Sequence, residues 1–273
     1  METVRINAVR CAVVFAVLLL GLAGSAGNSA ADSAQCRLEP GGNCVGANLT
    51  GTRLTNVDLR GIDLRDAVLY RCSFESVDLR GANLAGADII ECPMINVQLD
   101  QVNLVGGSII RSNFTEVSAQ SSDMSRAAIS QTVVVDSSMR RAKIADAEIT
   151  QSTFRRVDLR AVNLKKTSTR QVNLRRVKLK SANLSGAQLV QSTMAKGTSL
   201  RKVTFRNGLM LESDLKKVDM RSADLRSTFV WRSSLTGSNI ANIRTAGTTC
   251  TAVRLPDGSR ISGDVFAGPC DGL

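Results

Sequence analysis

The 273-residue sequence contains no histidine at all, one tryptophan, one tyrosine and four prolines. Without histidine the usual general base and the commonest metal ligand are missing, so neither a Ser-His-Asp nor a Cys-His site can be assembled. Glycine-rich phosphate loops and acidic metal clusters are also lacking, and the sequence reads as that of a non-enzyme with no cofactor. Aromatics make up 3% of residues against an apolar fraction of 43%. The interior must therefore be filled by many medium-sized side chains, which favours a narrow and repetitive core. Long apolar runs are scarce too. The one present, Cys11 to Leu22, is shorter than the ~20 residues of a membrane span. It follows Arg5 and Arg10 and precedes small residues, the pattern of a signal peptide over residues 1–31 with cleavage expected before Asp32. The chain is thus expected to be exported, to the periplasm or the medium.

What the sequence has instead is a period of five. From Leu49 every fifth residue through Met194 is a centre, nearly always large and apolar; after a one-residue insertion near Gly197 the series resumes from Leu200 to Ile240, giving 39 centres in all. Only Ala119 and Thr169 break the rule. The position two before each centre is also restricted, reading Ala47, Thr52, Val57, Ile62, Ala67, Cys72 and onward to Ser238. Five matches neither the 3.6-residue period of a helix nor the two-residue period of a flat strand. It fits a square coil in which each unit forms one side, with the centre and the residue two before it inward and the other three outward. Four units make a 20-residue coil, and about ten coils stacked at the ~4.8 Å β-ladder spacing give a rod roughly 45 Å long.

The units Ala47-Asn48-Leu49-Thr50-Gly51, Ala82-Asn83-Leu84-Ala85-Gly86 and Ala182-Asn183-Leu184-Ser185-Gly186 resemble the A-(D/N)-L-x-G consensus of the pentapeptide-repeat family. The resemblance runs from about Ala47 to Asn242 and implies an all-β fold, a right-handed quadrilateral β-helix. Asp or Asn before the centre, as at Asn48, Asp58, Asp78 and Asp158, suits a corner whose side chain bonds nearby backbone. Gly51, Gly61, Gly81 and Gly86 suit turns of unusual φ. These residues thin out from Val117 to Ile149, where less regular geometry is expected. The insertion at Lys196-Gly197-Thr198-Ser199 is expected as a bulge. Residues 32–46 are expected to cap one end. A hairpin over residues 243–273, turning at Leu255-Pro256-Asp257-Gly258-Ser259, is expected to cap the other.

Six cysteines remain after the first thirty-one residues. Cys36 with Cys44, and Cys250 with Cys270, are placed to staple the two caps. Cys72 and Cys92 are one coil apart; they are read as two small core residues rather than a redox pair.

Charge is distributed unevenly. Residues 140–226 hold 21 Lys and Arg against seven Asp and Glu, a net of +14 where the whole chain is +11. Stacking puts Arg60, Arg80, Arg140, Arg160, Lys180, Arg201 and Arg221 on one side, and Arg155, Arg156, Arg175, Arg176, Lys216 and Lys217 on the adjacent one. Such columns call for a compensating anion: an anionic polymer such as nucleic acid or envelope polysaccharide, or an anionic membrane surface. The alternative is a solvated surface partly neutralised by Asp158 and Asp219. A third side presents Tyr70, Ile90, Ile110, Val190, Leu211 and Trp231, an expected interface for a homodimer or an envelope protein, with Gln131, Gln151, Gln171 and Gln191 beside it. Some family members imitate DNA and protect gyrase, but those are acidic cytosolic rods; a basic chain with an export segment departs from them on both counts.

Overall fold

A period of five with two inward positions leaves each side of the coil only three residues of strand, and strands this short are stable only when stacked. The computed structural model describes residues 36–195, 197–261 and 270; the expected signal segment and its cleavage site lie outside them. Among the described residues all regular structure is β. We number the four sides of the coil by their first centres, Leu49, Leu54, Leu59 and Leu64. Side 1 is a ten-stranded parallel sheet from Val68–Tyr70 to Thr249–Thr251, and side 2 an eight-stranded parallel sheet from Arg53–Thr55 to Thr193–Met194. Sides 3 and 4 pair through one residue per coil, the one before the centre, as in Asp58 with Asp78 and Asp63 with Asn83. Register is 20 residues throughout the lower coils, so that Leu69 stacks under Ile89 and Ile89 under Ile109.

The two inward positions form the core as the sequence pattern requires. From Leu59 to Leu235 every centre except Leu174 is buried, and so is every residue two before a centre from Ile62 to Ser238. Many of the latter are Ser or Thr, which need partners inside. They find them in the backbone: Ser112 Oγ donates to the carbonyls of Ile110 (3.1 Å) and Ile89 (3.3 Å) and accepts the Cys92 N–H at 3.1 Å. Thr132, Ser152, Ser192, Ser213 and Ser233 repeat this up side 2. Thr169, one of the two irregular centres, donates to the Gln188 carbonyl at 3.0 Å. The other, Ala119, leaves a cavity of about 20 Å³ between Leu99 and Met139.

Corners are made two residues after each centre, where the chain turns left-handed. Glycine does so freely at Gly81 (φ 69°), but among the described residues 32 non-glycine residues also have positive φ, including β-turn formers such as Asn56 and the unfavoured Ala161 (φ 57°). Each L-residue there costs about 1 kcal/mol. That cost is small beside the burial of two apolar side chains per unit at about 1.5–3 kcal/mol each. This is why the expectation of irregular geometry from Val117 to Ile149 is wrong: corners at Ser121, Arg126, Gln131, Asp136, Arg141 and Asp146 keep φ between 51° and 60° without glycine. The Asx corners form as expected, with Asp58 Oδ1 accepting the Arg60 N–H at 3.1 Å and Asn48 Oδ1 that of Thr50 at 3.0 Å.

The insertion lies between Met194 and Ser199, since partners are 20 apart below it and 21 apart across it, as in Lys178 with Ser199 and Gln188 with Leu209. It ends the side 2 sheet, which continues only as single bridges from Thr193 to Asp214 and Ser234. Stacking also runs past the boundary expected at Asn242. Arg244 pairs with Asp224, Thr249–Thr251 joins side 1, and Arg254 pairs with Ser234, because Cys250 and Leu255 carry the centre phase onward. The hairpin itself is present, Val253–Arg254 pairing antiparallel with Arg260–Ile261. At the other end Asn43 already pairs with Asp63 and Cys44 is buried, so coil geometry begins within the expected cap.

Cys36 is bonded to Cys44 (Cα–Cα 4.4 Å) and Cys250 to Cys270 (5.3 Å). Cys72 and Cys92 are not free core residues: they form a third disulfide. In-register stacking holds their Cα atoms 4.8 Å apart, inside the range a disulfide spans.

Three substitutions test these energetics by denaturant unfolding. Ala161→Gly is expected to stabilise by up to about 1 kcal/mol, and Gly81→Ala, whose added Cβ would meet nothing within 4 Å, to destabilise by a similar amount. Ala119→Leu, restoring the centre rule at the cavity, is expected to raise stability by about 1 kcal/mol.

Candidate anion-binding surface

Side 3 carries an Asp before the centre and an Arg after it in several coils, and the Asx corner brings the two together. Asp158 and Arg160 (2.5 Å), and Asp219 and Arg221 (2.8 Å), are bidentate pairs, as are Asp58 with Arg60 and Asp78 with Arg80 further down. Arg201 reaches Asp219 at 3.9 Å, Lys216 reaches Asp214 at 3.1 Å, and Arg156 pairs with Asp136. Five of the eleven cations expected to bind an anion are thus already paired within the chain. Arg140, Arg155, Arg175, Arg176, Lys180 and Lys217 form no ion pair among the described residues, and all but Arg140 are exposed.

The reason for the split lies in the position of the acids. Between Asp158 and Glu212 the sequence has 12 Lys and Arg and no Asp or Glu. That stretch exceeds two coils, so the coil over residues 161–180 has no acid in itself and none in the coil above. Lys165 and Lys166 on side 4, Arg170 on side 1, Arg175 and Arg176 on side 2, and Lys178 and Lys180 on side 3 all project outward and are exposed. Together they ring the coil. Arg175 also stands in register over Arg155. Like charges at this spacing repel by roughly 1 kcal/mol or less in water, a penalty an anion would relieve. Sequence reasoning from columns alone missed Lys165, Lys166, Arg170 and Lys178, because they fall in different columns of the same coil; the acid-free interval is the signal that finds them.

Side 1 is built differently. Tyr70, Ile90 and Ile110 stack in register near one end, and Val190, Leu211 and Trp231 near the other, all half-buried. The column before the centre adds Val68 at the first cluster and Leu209 and Phe229 at the second, which the sequence reading had not included. Arg71 lies over the Tyr70 ring at 4.9 Å and Arg232 over the Trp231 ring at 4.3 Å. Between the clusters Gln131 donates to Gln151 (3.2 Å), Gln151 to Gln171 (3.3 Å) and Gln191 to Glu212 (3.0 Å), an amide ladder along the corner.

The Arg–Asp pairs shift proton affinities in one direction. Hydrogen bonds from the guanidinium two residues on hold the carboxyls of Asp58, Asp63, Asp78 and Asp219 below the ordinary carboxylate range. At Asp158 burial pushes the carboxyl up, but its bonds from Arg160 outweigh that and the net is again downward.

A family model described as pentapeptide repeats matches residues 43–81, 67–106 and 158–194, as eight copies. Among solved structures, the fold is similar to that of HetL, a pentapeptide repeat protein involved in heterocyst differentiation regulation from the cyanobacterium Nostoc sp. strain PCC 7120. The identity is 21%, with 81% of this chain and 90% of that one covered and a TM-score of 0.57. Trypsin-treated QnrB1, a plasmid-mediated fluoroquinolone resistance protein, is 14% identical over 60% of this chain and 90% of that one, with a TM-score of 0.37. No curated protein matches the sequence.

Carboxylates that titrate lower in the folded than in the unfolded chain contribute stability that is complete above the unfolded value of about 3.9 and is lost as pH falls through the folded values. Melting temperature followed by circular dichroism should therefore hold level from about pH 7 to about pH 5 and fall below about pH 4. Asp78→Asn should flatten part of that fall.

Proposed function

From the premise that this chain belongs to the pentapeptide-repeat family, a fold whose specificity lies on its outward sides, we propose that it is an exported scaffold that binds an anionic polymer through the basic coils of residues 140–226. The observation that carries this reading is the acid-free interval from Asp158 to Glu212, which leaves a ring of exposed cations at residues 165–180 that form no ion pair among the described residues. A surface evolved only for solubility needs no such segregation, and mixed signs serve it as well. Three disulfides favour an oxidising compartment, in keeping with the apolar segment at residues 11–22. The binding face is electrostatic and repetitive: cations recur along the coil axis at the ~4.8 Å ladder spacing, which suits an extended chain of charges rather than a compact ligand. Polysaccharide or nucleic acid supplies such a chain, and an anionic membrane supplies a surface of the same sign.

The paired and unpaired cations should behave differently. Changing Arg155, Arg175, Arg176 and Lys178 to Gln is expected to abolish most salt-dependent retention on immobilised heparin, lowering the slope of log K against log salt by about one per contact removed. Arg160→Gln and Arg221→Gln, which remove cations already bound to Asp158 and Asp219, should change retention little. Equal losses from both sets, or none from the first, would refute the reading. Vesicles with and without anionic lipid, run in parallel, separate a polymer from a membrane surface.

A further inference from the structure

The outward column of side 1 is nearly the same read from either end. From Tyr70 it runs Tyr70, Ile90, Ile110, Ser130, Thr150; from Trp231 it runs Trp231, Leu211, Val190, Arg170, Thr150. Each series is an aromatic, two aliphatics and a polar residue, and both end on Thr150 after four coils. The flanking corner repeats the arrangement, with Arg71 and Glu91 at one end, Arg232 and Glu212 at the other, and the Gln ladder between. Stacking holds every member of both series in register, so the symmetry of the sequence becomes a symmetry of the surface.

We propose that side 1 is the interface of an antiparallel homodimer whose two-fold axis passes at the level of Thr150, perpendicular to the coil axis. An isologous interface requires a self-complementary patch. In this arrangement Tyr70 meets Trp231 of the second copy, Ile90 meets its Leu211 and Ile110 meets its Val190, apolar on apolar at all six positions. Val68, 37% exposed, meets Phe229 of the second copy in the neighbouring column. The strip from Tyr70 to Trp231 is about 38 Å long at the ladder spacing.

A parallel dimer would also bring apolar residues together, and charge decides between the two. Residues 36–139 hold eight cations and 12 acids, a net of −4, whereas residues 140–226 carry +14. Parallel packing would set basic half on basic half; antiparallel packing sets each basic half beside the acidic half of its neighbour. Near the axis, Arg170 of each copy stands one coil from Glu148 of the other. Neither residue has an ion pair among the described residues of its own chain. The proposal is independent of polymer binding, since all of the ring cations except Arg170 lie on sides 2, 3 and 4 and stay exposed in the dimer.

Mild oxidation of variants that each carry one added cysteine, the three disulfides kept, tests the geometry. Thr150→Cys should cross-link to itself. Ile90→Cys and Leu211→Cys should each stay uncross-linked alone and form a heterodimer when mixed, while Gln120→Cys on side 3 should do neither. By sedimentation equilibrium the unaltered chain should be a dimer, with Trp231→Ser raising the dissociation constant at least tenfold. Self-cross-linking of Ile90→Cys would establish a parallel dimer and overturn the proposal. So would a monomeric mass for the unaltered chain across the accessible concentration range.

Discussion

The stacked coils depend on backbone hydrogen bonds between turns in 20-residue register, an N–H bonding a carbonyl 19 or 21 residues away, as Leu59 bonds Asp78 and Asp78 bonds Val57. They are what makes a three-residue strand stable, and they fix the register so tightly that position within the unit becomes position on the surface. An inward slip by one residue would bring Asp78 or Arg80 toward the axis in place of Leu79, so burial enforces the same register that the hydrogen bonds propose. The interior follows suit. Ser and Thr are admitted beside the centres because their hydroxyls bond backbone, most often that of the preceding coil and at Ser122 the Ala119 carbonyl of its own coil, and glycine is dispensable at the corners because burial outweighs the strain of a left-handed turn.

The same register governs electrostatics. When every twentieth residue is a neighbour, an Asp two residues before an Arg neutralises it locally, and an interval lacking acids for more than a coil leaves its cations exposed on all sides at once. The basic character of residues 140–226 is therefore two things. At Arg160 and Arg221 it is a set of internal ion pairs of small energetic weight at an exposed surface. From Lys165 to Lys180 it is a ring of cations that form no ion pair among the described residues and whose nearest acids lie in the coil below, Asp158 under Lys178 among them. A count of charges cannot separate these, but the coil geometry can.

Most of the fold was legible in the sequence because the period of five specifies the inward residues without reference to anything distant. What was not legible depended on energies rather than on pattern. The scarcity of Asp, Asn and Gly from Val117 to Ile149 looked like irregularity, yet Arg126 and Arg141 turn the corner as Gly81 does. Cys72 and Cys92 were placed one above the other from their spacing, but whether two stacked cysteines bond depends on a Cα separation that only coordinates supply. Leu209 and Phe229 escaped notice because the position before the centre is polar elsewhere on most sides. The coil runs past Asn242 because Cys250, whose place near the second cap hides its role, keeps the phase of Val230. Of the surface, the side 1 clusters were visible as columns, whereas the division of the cations into paired and unpaired required side-chain geometry.

The bond between Cys72 and Cys92 has a mechanical meaning as well. A stack of turns held only by its neighbours yields to tension from the ends, each turn peeling away and lengthening the chain by its full contour. Two consecutive turns tied across the interior cannot peel in that way: the 19 residues between the two cysteines, roughly 70 Å from one cysteine to the other when extended, are withheld from the pull. Cys36–Cys44 and Cys250–Cys270 likewise withhold a short loop at each end, so the turns left free to peel are those of residues 45–71 and those between Cys92 and Cys250.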